Sequence, residues 1–253
     1  MSIEIMDSTG DVIHSEYSDL PRTGCDTLVK PQLQRKMGGQ RYQWNMKIGR
    51  FDCLTELATT NRDLTAYNAP PGAYKVRLKV GDFTQAQEFE ITIDPRIENS
   101  IANVAAAYEE RDEISRSIYA GATEMAKGVR DLRKIKQQLD FVLEVTDDEN
   151  IKKEGNQLNK IIDDWIAEIL QKEMRTAQSN YMFEARLLIK FKDFLNGIGK
   201  GNLPVTQGTR DVSKDYLQQW STLRSSLQDI KIKKVLEYNQ LLKNAGLPEL
   251  YWP

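Results

Sequence analysis

The sequence predicts an α+β fold in two domains: antiparallel β structure over residues 1–95, then an antiparallel bundle of about four helices over 96–253. Two observations carry this. Before residue 95, turn signals such as Thr9-Gly10-Asp11, Gly38-Gly39, Pro70-Pro71-Gly72 and Gly81-Asp82 separate short runs with alternating apolar residues. After it, the apolar spacing lengthens to steps of three and four.

Ile3, Ile5 and Val12-Ile13 flank Asp7-Ser-Thr-Gly10 as a first hairpin, and Arg41-Tyr-Gln-Trp-Asn-Met46 reads as a further strand. In the run Ala69–Arg96, Tyr74, Val76, Leu78 and Val80 share one face and Lys75, Arg77 and Lys79 the other, the period of a half-buried strand. Gly81-Asp82 supplies a tight turn, glycine entering positive φ without a Cβ clash. Phe89, Ile91 and Ile93 then continue the apolar face, and Glu88 and Glu90 stand outside, across from the cationic row.

Asp94-Pro95-Arg96 is the predicted seam, because proline cannot donate to a ladder and suits the first turn of a helix. From Ile97 to Leu143, alternating steps of four and three meet apolar residues at all but Arg111, Ser115 and Lys136, so an extended helix is expected, with Gly121 and Gly128 as weak points that permit a bend. Such a helix is about 70 Å long at about 1.5 Å per residue. Asp147-Asp-Glu-Asn150 opens a second helix running to about 177, a third covers about 180–198 and ends in Gly197, Gly199 and Gly201, and a last one covers about 209–244. Short connections predict antiparallel packing of these stripes.

Composition narrows the function classes. Basic and acidic side chains nearly balance, 35 against 37, for a net charge of -2, which marks no nucleic-acid binder. No apolar run is long enough for a membrane span. The opening Met1-Ser-Ile-Glu-Ile-Met-Asp alternates like a strand and offers no signal peptide, which leaves a cytoplasmic protein or a piece of a longer one. Cys25 and Cys53 can bridge only in an oxidising compartment with Cα atoms within about 7 Å; otherwise they are ordinary thiols.

Reactive constellations are sparse in the sequence. His14 is the one histidine, and its neighbours Ser15 and Glu16 make no relay with it. His14, Cys25 and Cys53 match no compact zinc spacing, and no cofactor or metal site is expected. Glu109-Glu110, Asp112-Glu113, Asp147-Asp148-Glu149 and Asp163-Asp164 read as the wet faces of helices rather than acid/base pairs. The three glycines 197, 199 and 201 lack the Lys-Ser/Thr of a phosphate cradle. Tyr42, Trp44, Tyr67 and Tyr74 suit a sandwich core better than a ligand platform, and the tail Leu247–Pro253 is apolar enough to dock on the bundle or a neighbour.

Taken together, Gly39-Gln-Arg-Tyr-Gln-Trp-Asn-Met46, Ala69-Pro-Pro-Gly-Ala-Tyr-Lys-Val-Arg-Leu78 and Asp94-Pro-Arg96 resemble the C-terminal region of BNR-repeat, sialidase-like β-propeller proteins of bacteria, a glycosyl hydrolase-related group. Leu203-Pro-Val-Thr-Gln207 and Tyr238–Pro248 are similar to its closing segments, and the Pro-Gly-Ala-Tyr element also resembles Ig-like modules of the flagellar hook-capping type. The resemblance implies an Ig-like β-sandwich followed by helices, downstream of a propeller in an exported, periplasmic or extracellular protein. Residues 22–66 are longer than that pattern, and no catalytic residue carries over.

The sequence therefore predicts a non-catalytic accessory, structural or interaction module whose partner is an upstream propeller of the same polypeptide. Two alternatives stand beside it. One is a share in a glycan-acting hydrolase; the other is a scaffold that self-associates through its long helix as a homodimer.

Overall fold

The computed structural model describes residues 1–19, 33, 37–50, 54, 65–170, 184–200 and 203–252. It is an α+β fold: a small antiparallel sheet region and a larger helical part. Two compact units divide the chain. One comprises Met1–Thr55, Asn61–Tyr119 and Lys192–Ser213, the other Glu56–Thr60, Ala120–Phe191 and Lys214–Pro253.

In the first unit, β1 (Ser2–Met6), β2 (Val12–Tyr17), β5 (Gly72–Val80) and β6 (Phe83–Ile91) form one antiparallel sheet in the order β2-β1-β5-β6. The β1–β2 turn is built by Asp7, whose carboxylate accepts the N–H groups of Thr9 at 2.9 Å and Asp11 at 3.1 Å, while Gly10 takes φ 92°. Both predicted hairpins are therefore present.

The alternation of β5 also holds, with one refinement. Lys75 faces Glu88 of β6 at 3.3 Å, but Arg77 and Lys79 turn to Glu4 of β1, at 2.5 and 3.3 Å. Glu4 is almost fully buried beneath them. On the opposite face Ile5, Ala69 and Tyr74 form a core, joined by Trp44, Phe89, Val76 and Ile48.

A second, two-stranded sheet pairs β3 (Lys47–Arg50) with β4 (Thr65–Asn68). The strand expected over Arg41–Met46 is absent. Met46 takes φ 57°, a left-handed conformation that breaks extended structure, and the Asn45 side chain accepts the Lys47 N–H at 3.2 Å, so pairing begins only at Lys47. Trp44 still packs inward, its indole N–H donating to the Lys47 carbonyl at 3.1 Å.

Helix begins at Pro95, where Asp94 caps α1 (Pro95–Glu98) by accepting the Arg96 N–H at 2.9 Å. The continuous helix expected from Ile97 is interrupted, because Asn99 and Ser100 donate their side chains to the Pro95 and Ile97 carbonyls at 3.1 and 3.0 Å and close the turn. α2 (Val104–Val145) then runs for 42 residues.

In the second unit, α3 (Glu149–Ile169) starts at Asp148, which caps Asn150 and Ile151. It runs antiparallel to α2: Gly155 meets Leu143, Lys136 holds Asp163 at 2.6 Å, and Trp165 meets Gly128. α3 ends at Ile169, short of the expected 177, where Leu170 turns extended. The predicted stretch from 171 to 183 lies outside the described residues. α4 (Leu187–Lys200) contains Gly197 and Gly199 within its last turns and ends within two residues of the expected 198, but residues 184–186 are not helical, so it begins later than the expected 180.

α5 (Gln207–Asp229), a π-helical turn at Ile230–Lys234 and α6 (Val235–Asn244) form one unbroken helical run. Here the expectation of antiparallel neighbours fails. Glu124 meets Arg224, Gly128 meets Leu227 and Asp131 meets Lys231, so α5 runs parallel to α2. A chain that leaves α2, turns back along α3 and then passes through α4 has the length to restart in the original direction.

α2 continues through Gly121 and Gly128 as helix. A Cβ at Gly121 would stand 2.8 Å from Phe191, and at Gly128 2.7 Å from Leu227 and 3.0 Å from Trp165. Both glycines are approach points for large side chains.

Candidate functional site

His14 lies on β2 opposite Ile5, and Glu16 lies opposite Ile3, so the two share the core face of the sheet. His14 Nε2 and the Tyr42 hydroxyl share a hydrogen bond of 2.7 Å, and the imidazole packs beside Trp44 at 5.9 Å between ring centres. Burial, aided by the Arg50 charge, pushes the imidazole below its ordinary pKa and favours the neutral ring. Burial, aided by Glu16, pushes the Tyr42 hydroxyl up to about 12. A neutral ring clasped by a phenol this weakly acidic positions the Tyr42–Trp44 segment over the sheet. Glu16 itself is 7% exposed, and burial raises its carboxyl against the pull of Arg50. The period of two that placed the core residues also puts Glu16 on this face.

Trp44 stands edge-on to Tyr74 and Phe89, each at 6.1 Å, partly buried against the core cluster. Tyr74 donates to the Pro70 carbonyl at 2.7 Å. Tyr67 is buried beside Tyr119, 5.7 Å between ring centres. The aromatics singled out from sequence are thus packed within the fold, not arrayed as a platform.

Several of these carboxylates are drawn into ion pairs. Glu110 takes a two-pronged contact from Arg210 at 2.5 and 2.9 Å, Asp112 pairs with Arg116, Asp163 with Lys136 and Asp164 with Lys160 at 2.6 Å. Asp148 is a helix cap. Gly199 sits beside Asn68, whose amide donates to its carbonyl at 2.8 Å. Among the described residues no cluster of three or more His, Cys, Asp or Glu side chains is arranged to hold a metal ion. Cys25 and Cys53, with the question of their bridge, lie outside the described residues, as does Gly201.

One built surface among the described residues is one that patterning showed only as an apolar tail. After α6 the chain returns, and two amide side chains hold it by its backbone. Asn239 donates to the Leu250 carbonyl at 2.9 Å and accepts the Leu250 N–H at 2.8 Å; Gln138 does the same for Tyr251 at 2.7 and 2.9 Å. Leu250 is buried, which anchors the tail. Between the tail and α2 lies an open groove of about 670 Å³ lined by Lys134, Gln138, Phe141, Val142, Pro248 and Tyr251, among others. Phe141 remains 60% exposed and Tyr251 71%. Their rings offer apolar area, and Lys134 and Glu249 put one charge of each sign at the rim.

Comparison of the chain with protein-family models, curated proteins and solved structures finds no match. No helix among the described residues is long and apolar enough to cross a membrane.

Proposed function

We propose that this chain is a non-catalytic interaction module whose contact face is the groove between α2 and the clamped tail. The observation that carries this reading is the exposure of Phe141 and Tyr251 on a frame fixed by reciprocal backbone hydrogen bonds. Large aromatic side chains held on a rigid support bind partners at low entropic cost, because little remains to be ordered on contact.

A finer fold reading accompanies it. The four-stranded sheet and the β3–β4 pair are taken as the two layers of an Ig-like sandwich over residues 1–95, followed by the helical bundle over 96–253. In support, Ile48 of β3 and Trp44 pack into the same cluster as Ile5, Tyr74 and Phe89. The resemblance of the 39–46, 69–78 and 94–96 segments to the C-terminal region of sialidase-like propeller proteins supports placing the module after a propeller in an exported, periplasmic or extracellular polypeptide. The partner in the groove is then that propeller.

The test is to read the frame upstream of Met1, produce the propeller it encodes in this reading, and titrate it against this chain by calorimetry. Binding that is lost in Phe141→Ser supports the proposal. A frame with no propeller, no heat of binding, or turnover of a glycoside panel by this chain alone overturns it, as does a homodimer that Phe141→Ser dissociates.

A further inference from the structure

A second surface, in the other unit and independent of the groove, has its own logic. Among the described residues β6 is the last strand of its sheet. It spans nine residues paired with β5 one for one, without a bulge, and contains neither proline nor lysine, the usual devices that blunt an edge. Residues Phe83 to Glu88 are all exposed.

The hairpin geometry decides which backbone groups face outward. Gly81 takes φ 57°, and Val80 and Phe83 close a two-residue loop, so these two exchange both hydrogen bonds. Pairing then alternates along the ladder. Gln85, Gln87, Phe89 and Ile91 bond to β5, while the amide and carbonyl groups of Thr84, Ala86, Glu88 and Glu90 point away from the sheet. The side chains of these last residues all lie on the face opposite the Tyr74–Phe89 core.

Charge alternates in sign from strand to strand on that face. Glu4 of β1 is followed by Lys75, Arg77 and Lys79 of β5, and these by Glu88 and Glu90 of β6. Lys75 reaches Glu88, yet the Glu88 side chain stays 82% exposed, and the residue opposite Glu90 is Ala73. A strand that continued this series outward would be basic.

We propose that β6 is a strand-addition site for an extended segment of a partner polypeptide, carrying Lys or Arg at alternate positions opposite Glu88 and Glu90 and uncharged residues between. Main-chain hydrogen bonds to the outward groups supply affinity, and the two carboxylates select the sign and spacing of the side chains. Edge-to-edge pairing of β6 with the β6 of a second copy does not fit, because that edge presents Thr84, Ala86, Glu88 and Glu90 and no cation.

The test uses the full chain and three labelled nonapeptides: Lys alternating with Thr, the same composition with the lysines in one block, and Glu alternating with Thr. Fluorescence anisotropy is expected to show the alternating Lys peptide binding about tenfold tighter than the block peptide and the Glu peptide not binding. Amide exchange slows at Thr84, Ala86, Glu88 and Glu90. The double variant Glu88→Lys/Glu90→Lys loses about tenfold in affinity, the order expected for reversing two exposed pairs. Ala86→Pro removes an outward donor that the β5 ladder does not use, and it weakens binding with the circular dichroism unchanged. Equal binding of the alternating and block peptides, protection away from β6, affinity retained in the charge-reversed variant, no anisotropy change up to millimolar peptide, or a peptide-free dimer protected at these amides each overturns the proposal.

Discussion

The hydroxyl of Tyr119 engages both backbone polar groups of Arg50, accepting its N–H at 3.0 Å and donating to its carbonyl at 3.0 Å. Arg50 pairs through its other side with Thr65 of β4. A side chain on α2 therefore stands where a further strand would stand and ends the small sheet. The ring gets close enough only because residue 49 is glycine, in a left-handed conformation at φ 69°, with the Tyr119 ring 2.5 Å from where a Cβ would sit.

Two substitutions should rank accordingly. Tyr119→Phe leaves Arg50 to water, because the site is exposed, and costs about 0.5–1.5 kcal/mol. Gly49→Ala both strains the backbone and displaces the ring, costing more, about 2–3 kcal/mol. Urea unfolding midpoints of the two variants check the order. Equal midpoints would show that the ring does not depend on the glycine.

Gly128 and Gly197 are both helical glycines, and propensity alone favours alanine at each by about 1 kcal/mol. Their surroundings separate them. At Gly128 a methyl meets Leu227 at 2.7 Å and the rigid Trp165 ring at 3.0 Å, while at Gly197 nothing lies within 4 Å. Gly128→Ala should therefore lower stability by about 1–3 kcal/mol. Gly197→Ala should raise it by about 0.5–1 kcal/mol. Thermal melts of the two variants, shifted in opposite directions, are the expected result.

These glycines also show what patterning can and cannot reveal. Period-two alternation marked β1, β2, β5 and β6, because a half-buried strand imposes it at every residue. The helical stripes marked α2, α3 and α5 for the same reason. A stripe specifies which face is buried and says nothing of the partner's direction, so the parallel course of α5 along α2 was not legible. Nor was the use of Gly121 and Gly128, since a glycine that weakens a helix and one that admits Phe191 or Trp165 look alike in sequence. Met46 illustrates the converse at the Arg41–Met46 stretch: a single left-handed residue cancels a strand that alternation favours. At the candidate groove the apolar tail was visible, but its clamps, Gln138 and Asn239, are ordinary amides until the fold brings them to residues 250 and 251.

Asp131, on α2, is a carboxylate only 4% exposed. Lys127 reaches it at 2.7 Å, and Lys231, from the π-helical turn, at 2.5 Å. Burial pushes the carboxyl up, but the two ammonium groups together outweigh it and hold the group below its ordinary value. A folded-state value below the unfolded one stabilises the fold above the unfolded value of 3.8, and that contribution is lost as pH falls through the folded value. Asp131→Asn should cost about 3 kcal/mol at neutral pH, since it leaves Lys231 charged in a largely buried place. The gap between parent and variant should then close as pH drops below 3.8, which urea titrations at a series of pH values would show. A gap that persists into acid would assign the loss to packing.

The tail clamp makes the last prediction, and it separates folding from binding at the groove. Asn239 is buried, and its amide satisfies both polar groups of Leu250, so Asn239→Ala leaves a buried donor and acceptor without partners and costs about 1–3 kcal/mol. Gln138→Ala exposes the backbone of Tyr251 to water at a site already solvated, and costs about 0.5–1 kcal/mol. In both variants carboxypeptidase should trim the chain faster than in the parent, with Asn239→Ala the faster of the two, because Leu250 is the anchor. Phe141→Ser removes only a ring that is 60% exposed and should leave the trimming rate at the parent value. Faster trimming in Phe141→Ser would mean that the ring holds the tail rather than awaiting a partner.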